Sequence, residues 1–550
     1  MAENQPSDTA VTIPGLVHLR QISRNLTTGA LYEEIIKHRE GQIAHLGPMV
    51  VRTGHDAEMA LSDKFIVKDP VSEQKVCWDS AKNELSLNYF NTIYNRLVAY
   101  MHNRQAYVQD CMAGSVEEYQ LPLRIITETA WHSLFARNMF YQLPEEIPLE
   151  DFNPAFTLIH VPGFHAIPEL DGTNTASFVI ISLERKMVLI GGTSYSGEIK
   201  QAVFTMVNQL MPKDVFVMRC SANVGPDDDV AIFMGREETG KTTLAVDPAR
   251  RFLGDHSHGW SEKGIFNLDW GGYAKLCGIR EENQPYIYAC TRKFGTLLEN
   301  VALDPETRRL DTDDDSLTSN TRAAYPIAHL PNAIRRGVFD HPKNIFLLTC
   351  DAFGVLPPIA RLTPEQAVYA FLSAYTAKFK QTETGRMEPE VMFDVCFGDA
   401  ALALPSHEYG RMFLEKVRAH GIRCWLVNTG WSGEPHTRGE RIRIGHSRAI
   451  IRSAISGAFD TVRWEADPVF QFEIPMESPD EDSIPAAMLN PRSAVADEGE
   501  YEMRANRLVA EFVKDFKKFE ELIPEDMRVM LSEIISVDDS FDFEDYDFNI

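Results

Sequence analysis

GREETGKTTL, residues 235–244, carries Gly235, Gly240, Lys241 and Thr242 at the spacing G-x-x-x-x-G-K-[ST] of a phosphate-binding loop. The apolar run Val230 to Met234 precedes it and a helix-compatible stretch follows, the strand-loop-helix context that separates a working loop from a chance match. Backbone N–H groups along such a loop, from Gly235 through Thr239 to Thr243, cradle phosphates at a helix N-terminus, where peptide dipoles also favour negative charge. Lys241 is expected to reach the β and γ phosphates, and the Thr242 hydroxyl to ligate Mg2+. Two acids, Glu237 and Glu238, stand where a polyphosphate should lie. Because the loop grips phosphate with its main chain, their side chains can point away. A residue other than glycine still costs about 1 kcal/mol wherever positive φ is needed.

Working outward, "RRFLGD" reads as a second strand that delivers Asp255 shortly after Thr242. An acid at a strand end near the loop suits Mg2+ held through water, and an isolated Asp at such a point also serves as a cap. Farther on, "NIFLLTCDAFG" and "CWLVNTGW" have the continuous apolar character of buried strands. Before the loop, helical patterns such as "LRIITETAWHSLFARNMF" alternate with short apolar runs such as "SFVIISL" and "KMVLIGG", a mixed α/β signature. The expected organisation is a loose 1–15, an N-terminal mixed α/β domain over 16–214, and a P-loop nucleotide-binding domain over 215–535. The polar, turn-rich 380–391 is expected as a mobile lid, and 536–550 as an acidic and aromatic tail. In that tail "FDFEDYDF" alternates acids with aromatics, a pattern that fits a solvated tail, self-association or docking on a protein partner through 537–550.

Composition narrows the functional classes. The formal net charge of -26 argues against general nucleic-acid binding and adhesion to anionic membranes, which need a basic face, while leaving room for a local basic pocket. The first residues lack a basic start and apolar stretch, and no apolar run is long enough to span a bilayer, so a cytoplasmic protein is expected. Eight cysteines without a C-x-x-C pair signal neither a zinc ribbon nor a disulfide framework.

The segments "LIGGTSYSGEIK", "CSANVG", "TTLAVDP", "FLGDHSHGWSEKGIFNLDWGGYAKL", "LENV", "NTRAAYPI", "DAFGVLPPIARLTPEQAVYAFLSAYTAK", "LVNTGW" and "RIRIGHSRAII" occur in this order across about 16–475. In them the chain resembles the ATP-dependent phosphoenolpyruvate carboxykinases. The resemblance implies an α/β fold of two domains that close over their substrates, and conversion of oxaloacetate and ATP into phosphoenolpyruvate, ADP and CO2 in gluconeogenesis. It implies ATP and Mg2+ as cofactors, with Mn2+ at the reacting centre. Residue by residue, it makes Lys241 the phosphate lysine, Thr242 and Asp255 the Mg2+ side, and Arg322 the γ-phosphate contact. It also makes Arg448 the arginine packed on the base, Lys200 the first of a lysine pair, and Tyr195 a substrate-side tyrosine.

The reacting centre departs from the family pattern. Where the family holds Mn2+ with a lysine, a histidine and an aspartate, this chain has Gln201, Arg219 and His256. Guanidinium offers no lone pair and does not deprotonate in proteins. The exchange raises the ligand charge by two units, which near a divalent ion at about 4 Å and an effective dielectric of about 20 opposes binding by several kcal/mol. Met59 replaces the substrate arginine and Thr384 a basic lid residue. His256 and His258 offer a rebuilt metal site as the alternative. Arg219 is expected either to touch the γ-phosphate, as an arginine finger does, or to pair with Glu237. The expected function is a divergent ATP-dependent phosphotransferase with an altered acceptor and the Mn2+ site lost. The alternatives are a catalytically inactive regulatory or assembly protein and an orthodox ATP-dependent carboxykinase.

Overall fold

The structure is a computed structural model that describes residues 15–16, 18–54, 61–76, 78, 83–381, 387–397 and 404–519. Met59, Thr384 and the tail 536–550 lie outside the described residues, as do nearly all of 1–15 and the middle of 380–391. The chain is mixed α/β, and its described residues form two compact units. One unit takes the chain up to Met218 and again Phe252–Val338, with a short piece ending at Leu404. The other consists, so far as they are described, of Arg219–Arg251, Phe339–Asp399 and Pro405–Ile550.

The first unit is built on a sheet of β1 (Gln21–Arg24), β2 (Lys64–Lys68), β3 (Asn83–Ser86), β4 (Gln105–Ala113), β5 (Leu121–Thr127), β6 (Phe156–Val161), β7 (Phe178–Ser182) and β8 (Met187–Gly191). Its spatial order is β1-β4-β5-β6-β8-β7-β2-β3. Every residue of β4 is buried, because helices cover both faces. Tyr107 and Cys111 face the core beneath α1 (Thr28–Lys37), α3 (Ala130–Met139) and α4 (Gly197–Leu210). Ala106 and Val108 face the core beneath α2 (Leu87–Met101). The apolar residues Phe90, Ile93, Leu97 and Met101 recur at helical spacing along α2, and Ser86 caps its N-terminus through Tyr89 N. Asp110 is tolerated inside β4 because Arg124 grips both carboxylate oxygens, at 2.7 and 3.1 Å, and Arg24 Nε donates at 2.6 Å.

A second sheet explains why Phe252–Val338 belongs to this unit, although the sequence reading drew one boundary at 214/215. Gly271–Lys275, Arg322–Pro326 and Leu297–Glu299 pair in that order, and Leu297–Glu299 then pairs with Met49–Val51 near the start of the chain. Pairing across such a sequence separation leaves no local pattern to read.

The second unit is organised by a sheet containing β9 (Phe216–Val224, within the unit from Arg219), β10 (Val230–Gly235), β11 (Pro342–Thr349), β12 (Ile359–Leu362) and β13 (Arg423–Asn428). β10, β11 and β13 are neighbours running parallel, and β9 and β12 flank them antiparallel. β10 leads through the phosphate-loop sequence into α5 (Lys241–Ala245), so the loop lies at the carboxyl end of a parallel strand, where open α/β sheets bind ligands. The long helices α6 (Pro364–Ser373), α7 (Ser406–His420), α8 (Ile444–Ser456) and α9 (Glu498–Phe519) complete the unit. No helix among the described residues is long and apolar enough to cross a membrane.

Candidate functional site

The phosphate loop is shaped by two left-handed residues. Gly240 has φ 91° and Glu238 has φ 69°, so one of the two acids occupies a conformation that favours glycine. Gly235 must be glycine for a different reason: a Cβ there would lie 2.5 Å from Thr239 Oγ1 and 2.8 Å from the Leu348 carbonyl. Thr239 Oγ1 donates to the Arg236 carbonyl at 2.8 Å. Just past β13, Thr429 Oγ1 donates to the Thr239 carbonyl at 3.0 Å, which ties "NTGW" to the loop. Arg441 adds a second tie, donating to the carbonyls of Glu238 and Thr429 at 3.2 and 3.0 Å. Lys241 Nζ donates to the carbonyls of Gly235 and Arg236, closing the loop into a ring of main chain.

Around this ring lie further cations. Arg219, on β9, places Nη2 3.7 Å from Glu237 Oε1. Arg236 lies 3.5 Å from Asp394. Arg448 of α8 donates to the Thr243 carbonyl at 3.3 Å, and Arg452 grips buried Asp247 at 2.8 and 2.9 Å. Burial opposes ionisation of Asp247, but its bonds to Arg452 and Ala249 N outweigh this and hold its pKa below the usual carboxylate value. Glu237 and Glu238 themselves are exposed, with their side chains out of the core.

In the first unit, α4 gathers a separate group. Lys200 is buried on α4, 3.6 Å from Asp269 Oδ2, and His256 Nδ1 approaches the same oxygen at 3.5 Å. Burial disfavours the Asp269 carboxylate, but Lys200 and His256 reverse the effect and lower its pKa. The His256 ring stands edge-on to Phe204 of α4, with centroids 5.5 Å apart. Gln201 is buried next to Lys200, and Glu198 one turn earlier pairs with Lys64 at 3.2 Å. Tyr195 precedes α4 and folds back over Gly197, where a Cβ would lie 2.4 Å from its ring. Behind it, buried Glu299 accepts from Ser196 Oγ and, at 2.7 Å, from Tyr273 OH. Burial pushes Glu299 up to about 7. Arg322 lies over the Tyr273 ring, 5.4 Å from its centroid.

A model of the phosphoenolpyruvate carboxykinase family matches residues 20–483. The chain belongs to this family. It is 50% identical over 509 residues to the phosphoenolpyruvate carboxykinase (ATP) of Pelobacter propionicus, covering 92% of this chain and 95% of that protein. Identity is 48% over 508 residues to that of Geobacter metallireducens, with 92% and 95% covered. For the Thermus thermophilus enzyme it is 46% over 510 residues, with 92% and 96% covered.

With the family established, its ligands can be tested against these residues. A nucleoside triphosphate fits the phosphate loop: the glycine at 235 leaves no room for a side chain, Gly240 opens α5, and Lys241 and nearby arginines supply positive charge. The side chains at the three positions where the resemblance expects Mn2+ ligands are poor donors for a divalent ion. Arg219 brings a fixed positive charge that Glu237 already faces, and Gln201 carries none. Among the described residues, no three His, Cys, Asp or Glu side chains are grouped to hold a metal ion. His258 is buried in the strand Ser257–Ser261. The sequence reading drew no site residue from "LENV" or "NLDWGGYAKL", although both segments carry the resemblance. They supply Asp269, which pairs with Lys200 and His256, and Glu299, which is bonded to Ser196 beside Tyr195 and to Tyr273 under Arg322.

Proposed function

We propose that the chain binds ATP on the loop 235–242 and carries out the reaction of its family, oxaloacetate and ATP giving phosphoenolpyruvate, ADP and CO2. The observation that carries this reading is similarity to ATP-dependent carboxykinases over nearly the whole chain, with a phosphate loop whose geometry is intact. In that reaction the C3–C4 bond electrons of oxaloacetate become an enolate as CO2 leaves. The enolate oxygen then attacks the γ-phosphorus and ADP departs. Lys241 and the loop N–H groups hold the polyphosphate, and Arg322 and Lys200 supply charge where anions form. Thr242, at the start of α5, has the hard oxygen donor that Mg2+ takes.

A second reading, phosphoryl transfer to an acceptor other than oxaloacetate, is favoured by one observation: Arg219, which stands where the resemblance expects a Mn2+ ligand, pairs with Glu237. Purified protein given ATP, oxaloacetate and Mg2+, with and without Mn2+, separates the two. Phosphoenolpyruvate appearing in equal amount with ADP and CO2 establishes the carboxykinase reaction. ADP without phosphoenolpyruvate, or phosphate on an added hydroxyl or carboxylate compound, establishes the second. Nucleotide binding with no turnover overturns both and leaves a regulatory or assembly role.

A further inference from the structure

Arg219 and Glu237 belong to the same compact unit, and their pairing is peculiar for a phosphate loop. In the β9–β10 ladder Cys220 pairs with Met234, so Arg219 falls one step beyond, opposite Gly235 where the loop begins. Glu237 is the third residue of the loop. A carboxylate thus occupies the guanidinium that stands at the loop's entrance, at 3.7 Å, with the Glu237 side chain 52% exposed and that of Arg219 16%. A long, half-solvated ion pair of this kind is worth little. A phosphate group offers the same guanidinium more charge and a better match to its planar fork of donors. Exchange of one anion for the other therefore costs almost nothing on the protein side. It also relieves the repulsion that Glu237 would exert on a polyphosphate threaded through the loop.

We propose that Glu237 holds Arg219 in reserve, and that the terminal phosphate of a nucleoside triphosphate takes its place on the guanidinium. The pair is a selectivity device: it admits a triphosphate, which reaches Arg219, over a diphosphate, which leaves the Arg219–Glu237 pair closed. The inference rests on ATP binding at this loop, as proposed above, and adds the residues that distinguish ATP from ADP. It requires no metal at Arg219, since a guanidinium supplies charge without a coordination sphere.

The test is equilibrium binding of ATP and of ADP, each with Mg2+, to the full-length protein and to Arg219→Ala, Arg219→Lys, Glu237→Gln and Lys241→Ala. The wild type is expected to prefer ATP. Arg219→Ala should weaken ATP binding by roughly 10- to 100-fold while changing ADP binding less than about threefold. Arg219→Lys, which keeps the charge and loses the fork, should fall between. Glu237→Gln should tighten ATP binding by about three- to tenfold by freeing the arginine. Equal changes for ATP and ADP, or no change in either, with wild-type ATP binding intact, overturn the exchange. Absence of ATP binding in the wild type overturns the underlying reading instead, and Lys241→Ala shows whether any binding seen is at the loop.

Discussion

The phosphate loop and the group around α4 hold charge in opposite ways. At the loop, the course of the main chain is fixed by Gly235, Gly240 and the ties from Thr429 and Arg441. Glu237 and Glu238 are exposed there, so the loop carries two acids without losing its shape. Around α4, side chains carry the chemistry: Lys200, His256 and Asp269 meet in the interior, where one altered side chain changes the charge of the whole group. Main-chain binding tolerates sequence change and side-chain ligation does not. That is why the spacing of the nucleotide loop is readable in this sequence despite its two acids.

The sharpest way to break this comparison is to remove a charge from the interior group. Lys200→Ala would leave Asp269 buried with His256 and Ser257 but without its lysine. It is expected to lower stability by roughly 3–5 kcal/mol, the range for uncoupling a buried ion pair. Urea unfolding at neutral pH reads this directly. An unchanged midpoint would mean that the α4 group is as permissive as the loop, and the contrast would collapse.

Acidity probes the same unit through a second pair. His132 and His160 are buried with ring centroids 4.1 Å apart. Their Nε2 atoms lie 3.0 Å from the carbonyls of Ser194 and Thr193, the two residues before Tyr195. Burial lowers the pKa of both, that of His160 to about 4. The folded state therefore binds the proton less well than the unfolded chain, whose histidine titrates near 6.5. Stability is full above the unfolded value and falls as pH drops from about 6.5 towards 4, by roughly 3 kcal/mol for His160 alone. Glu299, pushed up to about 7, has the opposite sign and costs stability as pH rises from about 4.5 to 7. Comparing the wild type with His160→Asn isolates the histidine: the variant should gain on the wild type at every step from pH 7 to pH 4.5. Parallel pH profiles would show that His160 does not carry this cost.

At the loop the comparison expects lost binding with little lost stability. Lys241→Ala should weaken ATP by about 100-fold, from losing charge-assisted contacts to phosphate. Its unfolding midpoint should stay close to that of the wild type, since the lysine is only partly buried and its bonds to the Gly235 and Arg236 carbonyls are local to the loop. Calorimetric titration and urea unfolding of the same preparation measure both. A large loss of stability would make the lysine structural as well.

Legibility in the sequence follows the same division. The loop's spacing, its flanking strand and the pairing of Arg219 with Glu237 are readable because they rest on local pattern and on segments that resemble the family. Asp269 and Glu299 were not singled out, since their importance depends on contacts such as Ser196 with Glu299, 103 positions apart. The return of Phe252–Val338 to the first unit was hidden for the same reason. It depends on Leu297–Glu299 pairing with Met49–Val51, and neither strand advertises its partner.

The smallest expected effect tests whether the loop's tolerance has a cost. Glu238 sits at φ 69°, where a side chain crowds its own backbone and glycine does not. Glu238→Gly should relieve that crowding but also loosens the unfolded chain, so the net gain is about 1 kcal/mol at most. Glu238→Asn separates the terms, because asparagine accepts the left-handed region, removes the charge and keeps a side chain. If both variants raise the unfolding midpoint, backbone strain is the cost of the acid. If only ATP affinity rises, by a similar factor in both, the cost is electrostatic and the backbone bears none of it. If neither changes, Arg441's bond to the Glu238 carbonyl already holds the turn regardless of the side chain, and main-chain geometry alone defines this loop.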